Sequence, residues 1–154
     1  VSPYAQSYDQ SPISIGYGQK TKINRVYLRL ASLPSLPSGA TIKSAYIYMY
    51  LSAAESNTAK INVHPVNSSW NVKTITWSNK PGYGSALSSA SVTGSANTRF
   101  KWAITSAVKK WYSGSNYGLV FKNADETKVY NSFHSGETGI NIKYRPQVVI
   151  TYEY

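Results

Sequence analysis

The sequence predicts an all-β protein: an antiparallel β-sandwich of the jelly-roll type with one short helix. Nearly every periodic segment alternates polar and apolar residues with a period of two, and a single segment has helical spacing. Turns that contain proline and glycine separate the alternating segments. The length of 154 residues suits one domain with a single core. We expect residues 1–12 to form an arm or an irregular segment and residues 13–154 to form the sandwich.

The segment INRVYLRL at 23–30 is a strand with unbroken alternation. Successive side chains of a strand point to opposite faces, so one row faces the core and the other row faces outward. The residues expected to face the core are Val26, Leu28 and Leu30. The residues expected to face outward are Arg25, Tyr27 and Arg29.

The remaining strands follow the same period. Residues 42–51 alternate again and place three tyrosines opposite the core side, and residues 59–66 place Ile61 and Val63 inward. Further strands are expected at 13–16, 74–77, 116–123, 129–135 and 147–154.

The segment ITSAVKKWY interrupts the alternation. Ile104 and Val108 lie four residues apart, which is helical spacing, and predict a short helix near residues 105–112. Thr105 can cap its start, and Gly114 follows its end as a stop.

The composition favours an anionic partner. Lys and Arg total 16 against 6 Asp and Glu, which gives a net charge of +10. Such a charge speeds association with acidic polysaccharide, teichoic acid, nucleic acid or an anionic membrane. The chain also has 14 Tyr but only 3 Phe, and tyrosine suits binding surfaces because it combines a large ring with one polar group. No apolar run approaches the roughly 20 residues that span a membrane.

Signatures of catalysis are scarce. The six acidic residues include no obvious pair for work on a glycosidic bond, although the fold could still assemble one. His64 and His134 are isolated in sequence, and the absence of Cys removes thiolate chemistry. We therefore expect no catalytic residues, no cofactor and no metal site. Among the tryptophans, Trp77 and Trp111 favour core packing, whereas Trp70 is open to either packing or stacking on a sugar.

Several spaced motifs resemble the DNRLRE domain over roughly residues 13–152. The first specific block comprises Trp70, Thr76, Trp77, Asn79 and Pro81. The second comprises Thr105, Val108, Trp111, Gly114, Asn116, Tyr117 and Gly118. The resemblance implies a noncatalytic β-sandwich of extracellular proteins, which accompanies RHS/YD-repeat cell-wall proteins, disaggregatase-like proteins and polysaccharide lyases. Some such domains are classed as carbohydrate-binding module family 96, which is associated with alginate.

The sequence departs from the family pattern at two acidic positions. Val72 stands where the family often has Glu, and Ala103 stands where it often has Asp. The departures indicate a lost hydrogen-bond network or a lost metal site. The family commonly has an Arg at the position of Arg29 and Arg-Pro at Arg145, so these two cations could serve the fold.

The leading interpretation is a secreted, noncatalytic module, extracellular or at the cell surface, that binds an anionic polysaccharide such as alginate or another uronate through a basic, tyrosine-rich sheet face. Arginine would pair with carboxylates, and tyrosine rings would stack on sugars. The candidate ligand-binding residues are Arg25, Tyr27, Arg29, Tyr46, Tyr48, Tyr50, Lys60, Lys143 and Arg145.

Alternative interpretations remain open for these residues. Arg25 and Arg29 could pair with Glu137 or Glu153, and the tyrosines could form a ladder that only stabilises an exposed sheet. The chain could also be a structural or adhesive fibre subunit that assembles through sheet edges or its N-terminal arm. Nucleic-acid binding is a weaker alternative, because no dedicated motif is present. A continuous binding face requires the strand of Arg25 and the strand of Tyr46 to share one sheet.

Overall fold

The computed structural model describes residues 5–6, 13–18, 22–127, 130–136 and 141–154. The described strands are β1 (Ala5–Gln6), β2 (Ile13–Gly18), β3 (Lys22–Leu28), β4 (Thr41–Tyr50), β5 (Glu55–Pro65), β6 (Ser88–Gly94), β7 (Arg99–Ala103), β8 (Leu119–Asn123), β9 (Tyr130–Phe133) and β10 (Gln147–Glu153). The helix α1 spans Thr105–Ser113, and a short 3-10 helix spans Ile142–Tyr144. None of the described helices is long and apolar enough to cross a membrane.

Two sheets pack face to face, which confirms the predicted all-β sandwich. The larger sheet has the order β6-β5-β8-β3-β2-β9, and β1 adds to β3 in parallel. The smaller sheet has the order β10-β4-β7, with both pairs antiparallel. Strands β6 and β7 were not predicted from the sequence. The strand predicted at 74–77 is wrong, since these residues lie in turns and irregular backbone of the loop between β5 and β6.

The core lies between the two sheets. Ala45, Ile47 and Met49 alternate inward along β4, as the period of two predicts. They belong to the same buried cluster as Ile61 and Val63 of β5 in the larger sheet. The alternation of both strands is therefore explained by burial of one face of each sheet.

Helix α1 covers part of this core with Val108 and Trp111, which are both buried. The predicted helix is confirmed, but the capping role of Thr105 is wrong. The N-cap residue is Ile104, and the Thr105 hydroxyl oxygen instead accepts a hydrogen bond from the backbone N–H of Ala45 at 3.0 Å. This contact ties the start of the helix to β4 of the smaller sheet.

The loop of residues 66–87 covers the outer side of the larger sheet. Val66 and Ile75 of this loop form a second buried cluster with Tyr27 of β3 and Val120 of β8. The outward row of INRVYLRL is consequently covered by protein near Tyr27. Strand β3 also ends at Leu28, so that Arg29 lies beyond the strand.

Candidate functional site

The candidate residues do not share one sheet. Arg25 and Tyr27 belong to β3 in the larger sheet, whereas Tyr46, Tyr48 and Tyr50 belong to β4 in the smaller sheet. The continuous cationic and aromatic face that the sequence suggested is therefore split between the two sheets.

Arg25 is engaged inside the protein. Its Nε donates to Glu126 Oε1 and its Nη2 donates to Glu126 Oε2, each at 3.1 Å. Its guanidinium also lies over the rings of Trp77, at 4.7 Å, and Tyr83, at 5.6 Å. The side chain is only 13% exposed. Arg25 thus holds the loop of residues 66–87 against the sheet, and its carboxylate partner is Glu126. Of the two glutamates considered from the sequence, Glu153 instead pairs with Lys43, and Glu137 lies outside the described residues.

Tyr27 does not present a ring to solvent, which corrects its expected outward exposure. The residue is 3% exposed, and its ring meets the edge of Trp70 with the ring centroids 5.7 Å apart. Burial raises the pKa of the Tyr27 phenol above its usual value. The alternating pattern placed this side chain on the correct face, but the loop then covers that face.

Removing Arg25 is expected to destabilise the fold. We expect Arg25→Met to lower the free energy of unfolding by about 2–3 kcal/mol, because the Glu126 carboxylate, which is only 13% exposed, loses two charge-assisted hydrogen bonds and is left with Lys122. The matched control is Lys43→Met, which breaks the ion pair with Glu153 between side chains that are 50% and 65% exposed. The control should cost less than about 1 kcal/mol in urea denaturation. Equal losses of unfolding free energy from the two substitutions would contradict the role of Arg25 in holding the loop against the sheet.

The outer face of the smaller sheet carries a cluster that we call the tyrosine platform. Its members are Tyr46, Tyr48 and Tyr50 of β4 together with Arg99 and Lys101 of β7. The Arg99 guanidinium lies 4.7 Å from the ring centroid of Tyr48, and Lys101 Nζ lies 4.9 Å from that of Tyr46. Such contacts contribute about 0.5–1 kcal/mol each at exposed sites, so they hold the cations beside the rings.

Further rings extend the platform beyond Tyr50. Tyr144 meets the edge of Tyr50 at 5.4 Å, and its ring stacks on His134 at 5.3 Å. Lys143 Nζ lies 5.5 Å from the Tyr144 ring centroid. Burial lowers the pKa of the His134 imidazole below its usual value, and its Nε2 lies 2.8 Å from Asn97 Oδ1. The His134 ring therefore continues the aromatic row, and the predicted residue Lys143 lies at this end of it.

The platform itself combines tyrosines with cations and contains no acidic residue. Near its far end, Glu153 of β10 forms an ion pair with Lys43 of β4. Glu126 is occupied by Arg25 and Lys122 on the larger sheet. The cations of the platform, Arg99 and Lys101, are thus exposed beside half-exposed rings, an arrangement that suits a ligand with carboxylates and sugar rings.

The other predicted cations lie elsewhere. Lys60 is exposed on β5, in the larger sheet. Arg29 and Arg145 both line a cleft of about 550 Å³ that opens at the junction of the two sheets. The nine candidate residues consequently fall into three places: the larger sheet, the platform and the cleft.

The two sequence motifs meet at the cleft. The Trp70 indole N–H donates to the Tyr117 carbonyl at 2.7 Å, and the Asn116 side-chain amide donates to the Leu30 carbonyl at 3.3 Å. The Arg29 guanidinium lies 5.6 Å from the Trp70 ring centroid. Val72, where the family often has Glu, also lines the cleft. The motif residues therefore build one wall of the cleft and position Arg29.

The comparison with family models decides what kind of module this is. The model of carbohydrate-binding module family 96 matches residues 8–152, which is nearly the whole chain. The chain belongs to carbohydrate-binding module family 96. A family 96 module binds carbohydrate, and the predicted resemblance is confirmed at this level. Such modules are typically noncatalytic. No curated protein matches the sequence.

Sequence reasoning missed two cations of this family 96 module, Arg99 and Lys101, because it did not recognise β7. The signal was present: both are exposed and alternate with the inward residues Phe100 and Trp102. No comparable signal linked His134 to Tyr144, since the two rings come from separate segments and meet only in the folded chain. No three His, Cys, Asp or Glu side chains in the described part of the chain come together as a metal site.

Proposed function

We propose that this module binds an acidic polysaccharide of the uronate type, such as alginate, along the tyrosine platform. The observation that carries the proposal is the placement of Arg99 and Lys101 over the rings of Tyr48 and Tyr46 on an exposed sheet face. A sugar ring presents C–H groups that pack on the faces of tyrosine rings. The uronate carboxylate is the group that an arginine fork or a lysine ammonium recognises.

The shape of the platform favours a polymer over a single sugar. Side chains on one face of a strand repeat about every 6.7 Å, so the three tyrosines of β4 form a row roughly 13 Å long. Tyr144 and His134 continue the row beyond Tyr50. Several sugar units can contact such a row together, and each adds a weak contact to the total affinity.

The net charge supports the same class of ligand. A chain with a net charge of +10 attracts a polyanion over long range, which speeds their association. Specific recognition must also survive near physiological ionic strength, where the screening length is about 8 Å and contacts at the platform dominate. This function places the module outside the cell, where such polymers occur.

Calorimetric titration with alginate and with a neutral glucan tests the proposal. We expect alginate to bind and the glucan to bind far more weakly. The double variant Arg99→Gln with Lys101→Gln should weaken alginate binding by roughly tenfold or more, about 1.4 kcal/mol per tenfold step. Tyr48→Ala should cause a similar loss, because it removes the ring under Arg99.

The matched control removes the same charge from elsewhere on the molecule. Lys60→Gln with Lys73→Gln alters two exposed lysines, one on β5 and one in the loop that covers the larger sheet. This variant should bind alginate within about twofold of the unaltered module at physiological salt. Equal losses in the two double variants would mean that net charge alone attracts the polymer, and the platform assignment would then fail.

A further inference from the structure

We infer that the cleft between the sheets is a second binding site, which takes an amphipathic carboxylate with a medium-length acyl chain. The cleft of about 550 Å³ falls within the usual range for small-molecule sites, about 300–1,000 Å³. It lies between the sheets, whereas the tyrosine platform lies on the outer face of the smaller sheet. The two sites can therefore be occupied and altered independently.

The charge of the cleft favours an anion. Arg29 lines it, and no acidic residue is found among the described residues of its lining. Arg29 is exposed, and its guanidinium lies 5.6 Å from the Trp70 ring centroid. A guanidinium presents a planar fork that matches a carboxylate with two parallel hydrogen bonds.

The walls of the cleft favour an acyl chain over a sugar. The lining is dominated by aliphatic and aromatic side chains, among them Leu28, Leu119, Val148 and Trp111. A sugar buried there would lose water from several hydroxyl groups that find few polar partners, at a cost of about 1–3 kcal/mol for each unsatisfied group. Each methylene of an acyl chain instead gains about 0.8 kcal/mol on burial. The carboxylate would therefore lie at Arg29 with the acyl chain along the apolar wall.

A substitution at Val72 distinguishes recognition of the carboxylate charge from nonspecific burial of the apolar chain. Val72 is half-buried and lines the same cleft as Arg29. Val72→Glu adds a carboxylate from the protein itself, which would compete with the ligand for Arg29. Val72→Gln is the matched control, because glutamine has nearly the same shape as glutamate but carries no charge.

Titration with decanoate below its micelle concentration tests the site, with calorimetry and the intrinsic tryptophan fluorescence as readouts. We expect saturable binding of one decanoate per chain and a roughly tenfold weaker affinity in Arg29→Gln and in Val72→Glu. Val72→Gln and Lys60→Gln should keep the affinity within about twofold, and decanol should bind at least tenfold more weakly than decanoate. Thermal unfolding of each variant establishes that it is folded at the assay temperature.

Three results would overturn the inference. They are the absence of saturable decanoate binding, equal losses in Val72→Glu and Val72→Gln, and binding of glucuronate as tight as that of decanoate. Alginate titration of Arg29→Gln separates this inference from the platform. Retained alginate affinity together with lost decanoate affinity supports two sites, whereas loss of both would overturn their independence.

Discussion

Gly118→Ala should lower the free energy of unfolding by about 3 kcal/mol or more. Gly118 has φ +82°, in the left-handed region that glycine tolerates best. A Cβ there would lie 2.2 Å from the Leu28 carbonyl oxygen and 3.0 Å from Arg29 Cβ. Both neighbours belong to the chain at the end of β3, so β8 or β3 must move to admit the methyl group.

Substitutions at two other glycines separate the two causes of this loss, which are backbone strain and the steric clash of the added Cβ. Gly39 has φ +79° but no heavy atom within 4 Å of an added Cβ, so Gly39→Ala reports backbone strain alone, about 1 kcal/mol. Gly82 has open space as well and no φ in the left-handed region, so Gly82→Ala should change stability by less than about 0.5 kcal/mol. Urea denaturation followed by fluorescence measures all three. If Gly118→Ala loses no more unfolding free energy than Gly39→Ala, the close approach of Gly118 to the Leu28 carbonyl oxygen would be contradicted.

Trp102→Ala should cost about 3–5 kcal/mol of unfolding free energy. Trp102 is 1% exposed and belongs to β7 of the smaller sheet, yet its indole N–H donates to the Ile61 carbonyl of the larger sheet at 2.9 Å. Its ring also meets the edges of Phe121 at 5.2 Å and Phe133 at 6.1 Å. The substitution therefore opens a cavity and removes a hydrogen bond that joins the two sheets.

Trp102→Phe and Trp77→Ala are the comparisons for this result. Trp102→Phe keeps most of the buried ring but leaves the donor position empty, and should cost about 1–3 kcal/mol. Trp77 is half-buried in the covering loop, where Arg25 and Lys80 lie over its ring, so Trp77→Ala should cost about 1–2 kcal/mol. Chemical denaturation of the three variants measures their losses of unfolding free energy and so ranks them. A loss in Trp102→Ala no larger than that in Trp77→Ala would contradict the role of Trp102 between the sheets.

Sequence periodicity predicted the fold where a strand has one face in the core. Strand β4 is the clearest case, because ten residues alternate and the inward row is buried. Strand β7 has only five residues and runs almost directly into α1, so its short alternation was not recognised. The segment at 74–77 has strand-like composition, but its residues are held in turns and irregular backbone of the covering loop, which tertiary packing decides.

The candidate site was harder to predict because side chains on the outer face of a strand look alike in sequence, whether water or a loop covers them. Tyr27 and Tyr48 both alternate with core residues, yet Tyr27 is covered and Tyr48 is half-exposed. The partner of Arg25 lies 101 residues away along the chain at Glu126, a separation at which spacing carries no signal. Sheet topology separated these residues from the platform, and it brought Arg99 and Lys101 beside the tyrosines of β4.

The tyrosine platform is the central claim, and mapping the bound oligosaccharide on the protein tests it most directly. Backbone amide NMR shifts should be followed during titration with a short alginate oligosaccharide near physiological salt, about 0.15 M. We expect the largest changes in the outward residues of β4 and β7, namely Tyr46, Tyr48, Tyr50, Arg99 and Lys101, and around Tyr144. Changes concentrated on β5, β6 and β8 of the larger sheet, or no saturable change at that salt concentration, would contradict the account.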